Sequence, residues 1–153
     1  MSILETRHIV WPNEAACAAS ATALAQRDGI TEAFIELKGP LGAGKTTFVR
    51  YLLQALGVTG RVKSPTYAVM EPYELPGRSF WHFDFYRFND PQEWEDAGFR
   101  DVFASVGLKL VEWPEKAAGL LPVPDLEIAI EPHEDELRGV QFCAHTSLGR
   151  GLL

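Results

Sequence analysis

No apolar run in the chain approaches ~20 residues, the length a helix needs to cross a bilayer, so no membrane span is expected. The opening stretch MSILETRHIVW lacks the basic segment and apolar core of a secretory leader. Cysteine is scarce: Cys17 and Cys143 are the two among 153 residues, too far apart for a metal-ligand spacing. Without a leader the expected compartment is the cytoplasm, where both thiols stay reduced and act as small buried hydrophobes. Positive charge is short too. Lys and Arg total 14 against 21 Asp and Glu, a formal −7, and a surface of that sign repels a phosphate backbone. That charge disfavours free nucleic acid as a direct ligand, although a local basic spot such as GRVK at 60–63 could still meet a phosphate. There is no Cys/His metal cluster, no nucleophile elbow, no internal repeat and no linker, which leaves one domain over 1–153.

What is present reads as alternating strands and helices. Residues 3–10 are β-branched and loosely alternating, as in an edge strand. Asn13 suits an N-cap, Glu14 a first helical turn and Gly29 the stop of an alanine-rich helix. Residues 33–39 form a short buried strand, and 45–57 a helix with Phe48, Leu52, Ala55 and Leu56 on one face. Two strands, 66–73 and 79–88, flank a turn marked by Pro76-Gly77. Asp90, Pro91 and Glu93 make a capping-box start, and Gly98 divides the segment they open into two short helices. Residues 108–113 read as a buried strand ending in an acid. Residues 125–131 and 139–147 alternate like half-exposed antiparallel strands, and the tail 148–153 is expected to be mobile.

The stretch GPLGAGKTTF, between the strand at 33–39 and the helix at 45–57, fits G-x-x-x-x-G-K-[ST] in full, in the strand-loop-helix context that pattern needs. Gly39, Gly42 and Gly44 let the backbone N–H groups of a loop containing Leu41 and Ala43 turn inward around a polyphosphate. The helix N-terminus adds the positive end of its dipole. Lys45 can reach the β and γ phosphates, and the Thr46 hydroxyl can ligate Mg²⁺. A phosphate loop hydrolyses nothing without a metal-holding acid and a means of orienting water. Glu112, closing the strand LKLVE, and Asp84, in FWHFDFYR, are the two acids placed for that work. Thr66, in the proline-braced segment KSPTY, is of the kind that senses a γ-phosphate or Mg²⁺ in a switch loop. His82 lies two residues before Asp84, so on a strand the two share a face.

Taken together, GPLGAGKTTF, KSPTY, HFDFYR and VEWPEK, in this order between residues 39 and 116, resemble the TsaE family of bacterial P-loop ATPases. The resemblance implies a role in forming N6-threonylcarbamoyladenosine at position 37 of tRNAs that read codons starting with A. It implies ATP and Mg²⁺ as cofactors and TsaB and TsaD as protein partners. TsaD would hold the transferase site, and tRNA would be met only through the complex. By motif, Lys45 holds phosphate with the loop residues through Thr47, while Thr46 and Glu112 hold Mg²⁺. Asp84 is a second acid at the metal or its water, Thr66 belongs to the switch-like loop, and Trp113 lies by the nucleotide. Asn13 and Arg138 are the nearest matches to the pocket's first loop and its late basic residue. One departure stands out: after Gly39, where the family usually has an acid, this chain has Pro40, which removes a backbone donor at the loop's start.

The net −7 suits a component that docks on protein and leaves RNA to others. The enzymatic reading is a weak Mg²⁺-dependent ATPase activated in its complex. A nucleotide-gated assembly factor shares every motif with it. A small-molecule kinase on the same loop would need a lid with arginines, for which Arg87 and Arg100 are the candidates. No N-K-x-D guanine-reading pattern is present, which favours ATP. The expected fold is α/β, a P-loop NTPase-like three-layer sandwich. Its central, mostly parallel sheet carries helices on both faces and an antiparallel strand pair at one side.

Overall fold

The structure is a computed structural model describing residues 2–62, 65 and 69–153. In chain order it runs β1 (Glu5–Trp11), α1 (Glu14–Ala25), β2 (Phe34–Lys38), α2 (Lys45–Ala55), β3 (Met70–Leu75), β4 (Arg78–Asp84), α3 (Pro91–Asp96) and α4 (Phe99–Ala104). It closes with β5 (Leu108–Glu112), β6 (Leu126–Pro132), β7 (Arg138–Ala144) and α5 (Ser147–Gly151). All seven strands join one sheet in the order β1-β7-β6-β2-β5-β4-β3.

The sheet's centre, β6-β2-β5-β4, is parallel, as the strand-helix alternation requires. Antiparallel pairing occupies both margins rather than one side: β3 on β4 at one end, and β1 on β7 on β6 at the other. The physical reason is connection length. Leu75 pairs directly with Arg78, so Pro76-Gly77 reverses the chain in two residues, with Gly77 at φ 74°. Asp135 and Glu136, both left-handed, turn β6 back into β7. Tight reversals can only build antiparallel neighbours. β1 then extends that margin over seven paired positions, from Glu5 opposite Ala144 to Trp11 opposite Arg138.

Alternation along the strands divides the interior into two cores, one per face. On one side Ile35, Leu37, Leu108, Leu110, Leu126 and Ile128 pack under α1 and α2. The alanines of α1 let it lie close to α2, and Trp11 stacks on Phe48 with ring centroids 5.5 Å apart. On the other side Phe34, Phe83 and Val111 meet α3 and α4 through Trp94 and Phe99. Asn13 caps α1 through its Oδ1, which accepts from Ala16 N at 2.9 Å. Asp90 caps α3, accepting from Gln92 N at 2.9 Å, and Gly98 at φ 70° separates α3 from α4.

Several boundaries differ from the sequence reading; the strand expected to reach 147 ends at Ala144, ahead of the Thr146 cap of α5, and three further differences alter the packing. α1 stops at Ala25, because Gly29, at φ 90°, starts a separate single turn over Ile30–Glu32. The strand expected to reach 88 ends at Asp84. Phe88 N donates to Phe85 O in a turn, and both rings are buried in the aromatic core with Trp94 and Phe99. Burial of two large aromatics against the helices outweighs continued strand pairing there. The expected mobile tail instead forms α5 and buries Leu152. Thr146 ties it down, donating to Asp125 Oδ1 at 2.7 Å and accepting from Gly149 N at 3.0 Å.

Candidate functional site

Between β2 and α2 the chain traces a loop that only glycine-rich sequence accommodates. Gly39, Gly42 and Gly44 sit at φ 147°, 79° and 109°. At Gly39 even a methyl group is barred, since a Cβ would lie 2.4 Å from the Ile130 carbonyl oxygen on β6. Pro40 is accommodated because the turn uses its carbonyl, which accepts from Ala43 N at 3.1 Å. Leu41 is exposed at the tip while Ala43 is buried beneath it. The loop delivers the N-terminus of α2, beginning at Lys45, to the carboxyl edge of the parallel strands.

Lys45 is 5% exposed. Its Nζ donates to the Gly39 carbonyl and lies 3.7 Å from the centroid of the Trp113 ring. Burial pushes the ammonium below the usual lysine range, against the opposing pull of Glu112, Glu115 and Asp84. Thr46 Oγ1 donates to Glu112, 2.9 Å from Oε1 and 3.0 Å from Oε2. A hydroxyl has one proton and two lone pairs, so this bond leaves its acceptor side for another ligand. Parallel pairing of β4 and β5 sets Asp84 directly beside Glu112. Asp84 Oδ1 accepts from Tyr86 N at 3.0 Å, and Asp84 N is held by Val69 O at 2.8 Å. Trp113 occupies the left-handed region, φ 57°, at the sharp exit of β5 and packs on Tyr86 with centroids 5.0 Å apart.

Two cavities meet along the loop. One of about 260 Å³ is lined by Lys45, Thr46, Asp84, Tyr86, Glu112 and Trp113. The other, about 250 Å³, is lined by Trp11, Asn13, Cys17, Thr47, Glu136 and Arg138. Gly42, Ala43, Gly44 and Thr47 border both. Arg138 reaches the loop from β7, its Nε donating to Ala43 O at 3.0 Å. Asn13 lines this cavity with its Oδ1 committed to the α1 cap. Burial and the neighbouring Glu14 push the Cys17 thiol up to about 11, so it contributes surface rather than a thiolate.

The folded chain thus brings together Asn13, Gly39, Leu41, Gly42, Ala43, Gly44, Lys45, Thr46, Thr47, Asp84, Glu112, Trp113 and Arg138. Thr66 lies outside the described residues. The sequence reading gave no role to Tyr86, although it lies within the HFDFYR block, or to Glu136, which carried no signal.

The family model described as "Threonylcarbamoyl adenosine biosynthesis protein TsaE" matches residues 11–140, which include the whole loop, both acids and Arg138. The chain belongs to the TsaE family. Among curated TsaE relatives, the tRNA threonylcarbamoyladenosine biosynthesis protein of Haemophilus influenzae is 44% identical over 119 residues, covering 78% of this chain and 75% of that protein. The Bacillus subtilis protein of the same name is 36% identical over 133 residues, covering 87% and 81%. In three dimensions, the crystal structure of Bacillus subtilis YdiB superposes with a TM-score of 0.81 at 26% identity, over 99% of this chain and 94% of that one. The α/β, P-loop NTPase-like architecture of this TsaE-family chain is therefore shared. No helix among its described residues is long and apolar enough to cross a membrane.

The donor set can be tested against a nucleotide and its metal. Among the described residues no group of three or more His, Cys, Asp or Glu forms a metal cage. Mg²⁺ does not need one, since it is held by one or two carboxylates together with hydroxyl, water and phosphate oxygens. Thr46, Glu112 and Asp84 match that requirement, and the glycine loop with Lys45 matches a polyphosphate.

Proposed function

We propose that this chain is the ATP-binding and hydrolysing component of a cytoplasmic assembly with TsaB and TsaD, required for N6-threonylcarbamoyladenosine formation at position 37 of tRNAs reading codons that start with A. The observation that supports this most directly is the Thr46 hydroxyl donating to both oxygens of Glu112 beside the buried Lys45, at the mouth of α2. In this reading the loop N–H groups and Lys45 bind the phosphates. Thr46 and Glu112, with Asp84 alongside, hold Mg²⁺, which when bound neutralises charge on the phosphate oxygens. Trp113 and the Asn13–Arg138 cavity receive the remainder of the nucleotide. Thr66, in the switch-like loop, senses the γ-phosphate or Mg²⁺.

The same arrangement supports slow turnover in isolation. Arg100 is tied to Glu95 at 2.8 Å on the α3–α4 surface, and Arg138 is committed to the loop carbonyl of Ala43. A partner-supplied arginine is worth about 10³–10⁵ in rate in related chemistry. The test is steady-state phosphate release with and without TsaB–TsaD, run beside nucleotide affinity. Stimulation by the protein pair is expected. An unchanged rate, or equal stimulation by uncomplexed tRNA, refutes the partner-activated reading. Glu112→Gln, assayed at Mg·ATP concentrations that saturate the variant, separates hydrolysis from gating: if hydrolysis is lost and tRNA modification persists, ATP binding alone suffices and the chain acts as a nucleotide-gated assembly factor.

A further inference from the structure

Glu112 is 2% exposed, and a carboxylate so deep needs directed donors. Thr46 offers one proton, shared between both oxygens. A second group lies closer still: His82 Nε2 is 2.6 Å from Glu112 Oε2. Strand alternation brings it there, because Phe80, His82 and Asp84 point to the α2 face of β4, next to Glu112 on β5. The ring is fully buried, and its Nδ1 has no hydrogen-bond partner among the described residues.

For a neutral ring, that orphan nitrogen favours one tautomer. A proton on Nδ1 would leave a buried N–H without an acceptor and set the Nε2 lone pair against the carboxylate. A proton on Nε2 is donated into the short contact and leaves only an acceptor lone pair unused. We infer that His82 is a positioning residue for Glu112: its Nε2–H pins Oε2, so that the carboxylate stays facing Thr46 and the phosphate cavity. Thr46 carries a hydroxyl that rotates. Its single proton is shared between Oε1 and Oε2 and fixes neither, whereas the bond from His82 singles out Oε2. This rests on the proposed reading of Glu112 as the acid at Mg²⁺.

The test is calorimetry of ATP with and without Mg²⁺ on the full chain, comparing wild type with His82→Leu, His82→Gln and Glu112→Gln. His82→Leu removes the donor and is expected to cut the Mg²⁺-dependent gain in ATP affinity by roughly 10- to 100-fold, the range seen when a ligand's hydrogen-bonding partner is lost. His82→Gln places an amide N–H near the same point and should recover most of that gain. A wild-type gain in His82→Leu, or a glutamine variant no better than leucine, overturns the inference. A normal gain in Glu112→Gln refutes the reading of Glu112 and the inference with it. A lost gain there beside a normal one in His82→Leu refutes the inference alone. Long-range ¹H–¹⁵N spectra of the wild-type ring need no variant: a proton on Nε2 is expected, and a ring protonated on Nδ1 alone overturns the assignment.

Discussion

Replacing Glu36 by glutamine should stabilise this protein, and by an amount that depends on pH. Glu36 sits mid-strand on β2, 6% exposed, with Glu127 of β6 opposite it in the ladder. Lys38, two residues on, directs its Nζ to Glu127 at 3.2 Å, and His145 Nε2 lies 2.8 Å from the same carboxylate. Burial therefore dominates and raises the Glu36 carboxyl from 4.5 to about 7; Lys38 and His145 oppose the rise, and Glu127 and Glu115 add to it. The sign follows from proton linkage. Between about pH 4.5 and 7 the folded state binds more protons than the unfolded state, so stability falls as pH rises through that window. Each unit is worth about 1.4 kcal/mol, which sets a ceiling of about 3.5 kcal/mol for the penalty above pH 7. That is a sizeable share of the ~5–15 kcal/mol that holds a domain folded. Glutamine keeps the shape and cannot ionise. The variant should match wild type near pH 4 and exceed it by ~1–3 kcal/mol at pH 8, a rise of several degrees in Tm for a chain of this length. Urea titrations at pH 4, 6 and 8 with unchanged m-values measure the difference. An offset equal at pH 4 and pH 8, or one that grows toward acid, would refute the reasoning.

Lys45→Ala should weaken ATP binding by about 1.5–3 kcal/mol, roughly 10- to 150-fold in Kd by calorimetry, by deleting a charge-assisted contact. Gly39→Ala should cost ~1–3 kcal/mol of stability in denaturant titration, because the added methyl meets the Ile130 carbonyl and the loop or β6 must shift. Arg138→Ala should loosen the loop at Ala43 and raise the Kd for ATP roughly 3- to 10-fold, the effect of one lost hydrogen bond. Glu112→Ala should lower partner-stimulated phosphate release more than Asp84→Ala does. Wild-type rates in both variants would remove the acids from the proposed chemistry.

By itself the sequence determined whatever depends on neighbours along the chain. The glycines of 39–44 take backbone angles that side chains resist, so the loop and the helix start at Lys45 were legible in one dimension. The caps at Asn13 and Asp90, the Gly98 break and the Pro76-Gly77 reversal are equally local. Glu112 at a strand end and Asp84 among aromatics were legible as the acids a phosphate loop needs, and the four family blocks gave them their roles by resemblance. Period-two alternation said which face a residue takes but not which strand lies beside it. Only the tertiary structure set Asp84 next to Glu112, because that depends on the parallel register of β4 on β5. It also closed the contact between His82 and Glu112, and brought Arg138 to Ala43 across 95 residues of chain. The end of β4 at Asp84 and the ordering of the tail were decided in the same way. Phe85, Phe88 and Leu152 gain more by burial against distant elements than their local pattern indicates, and that balance exists only once the two cores have formed.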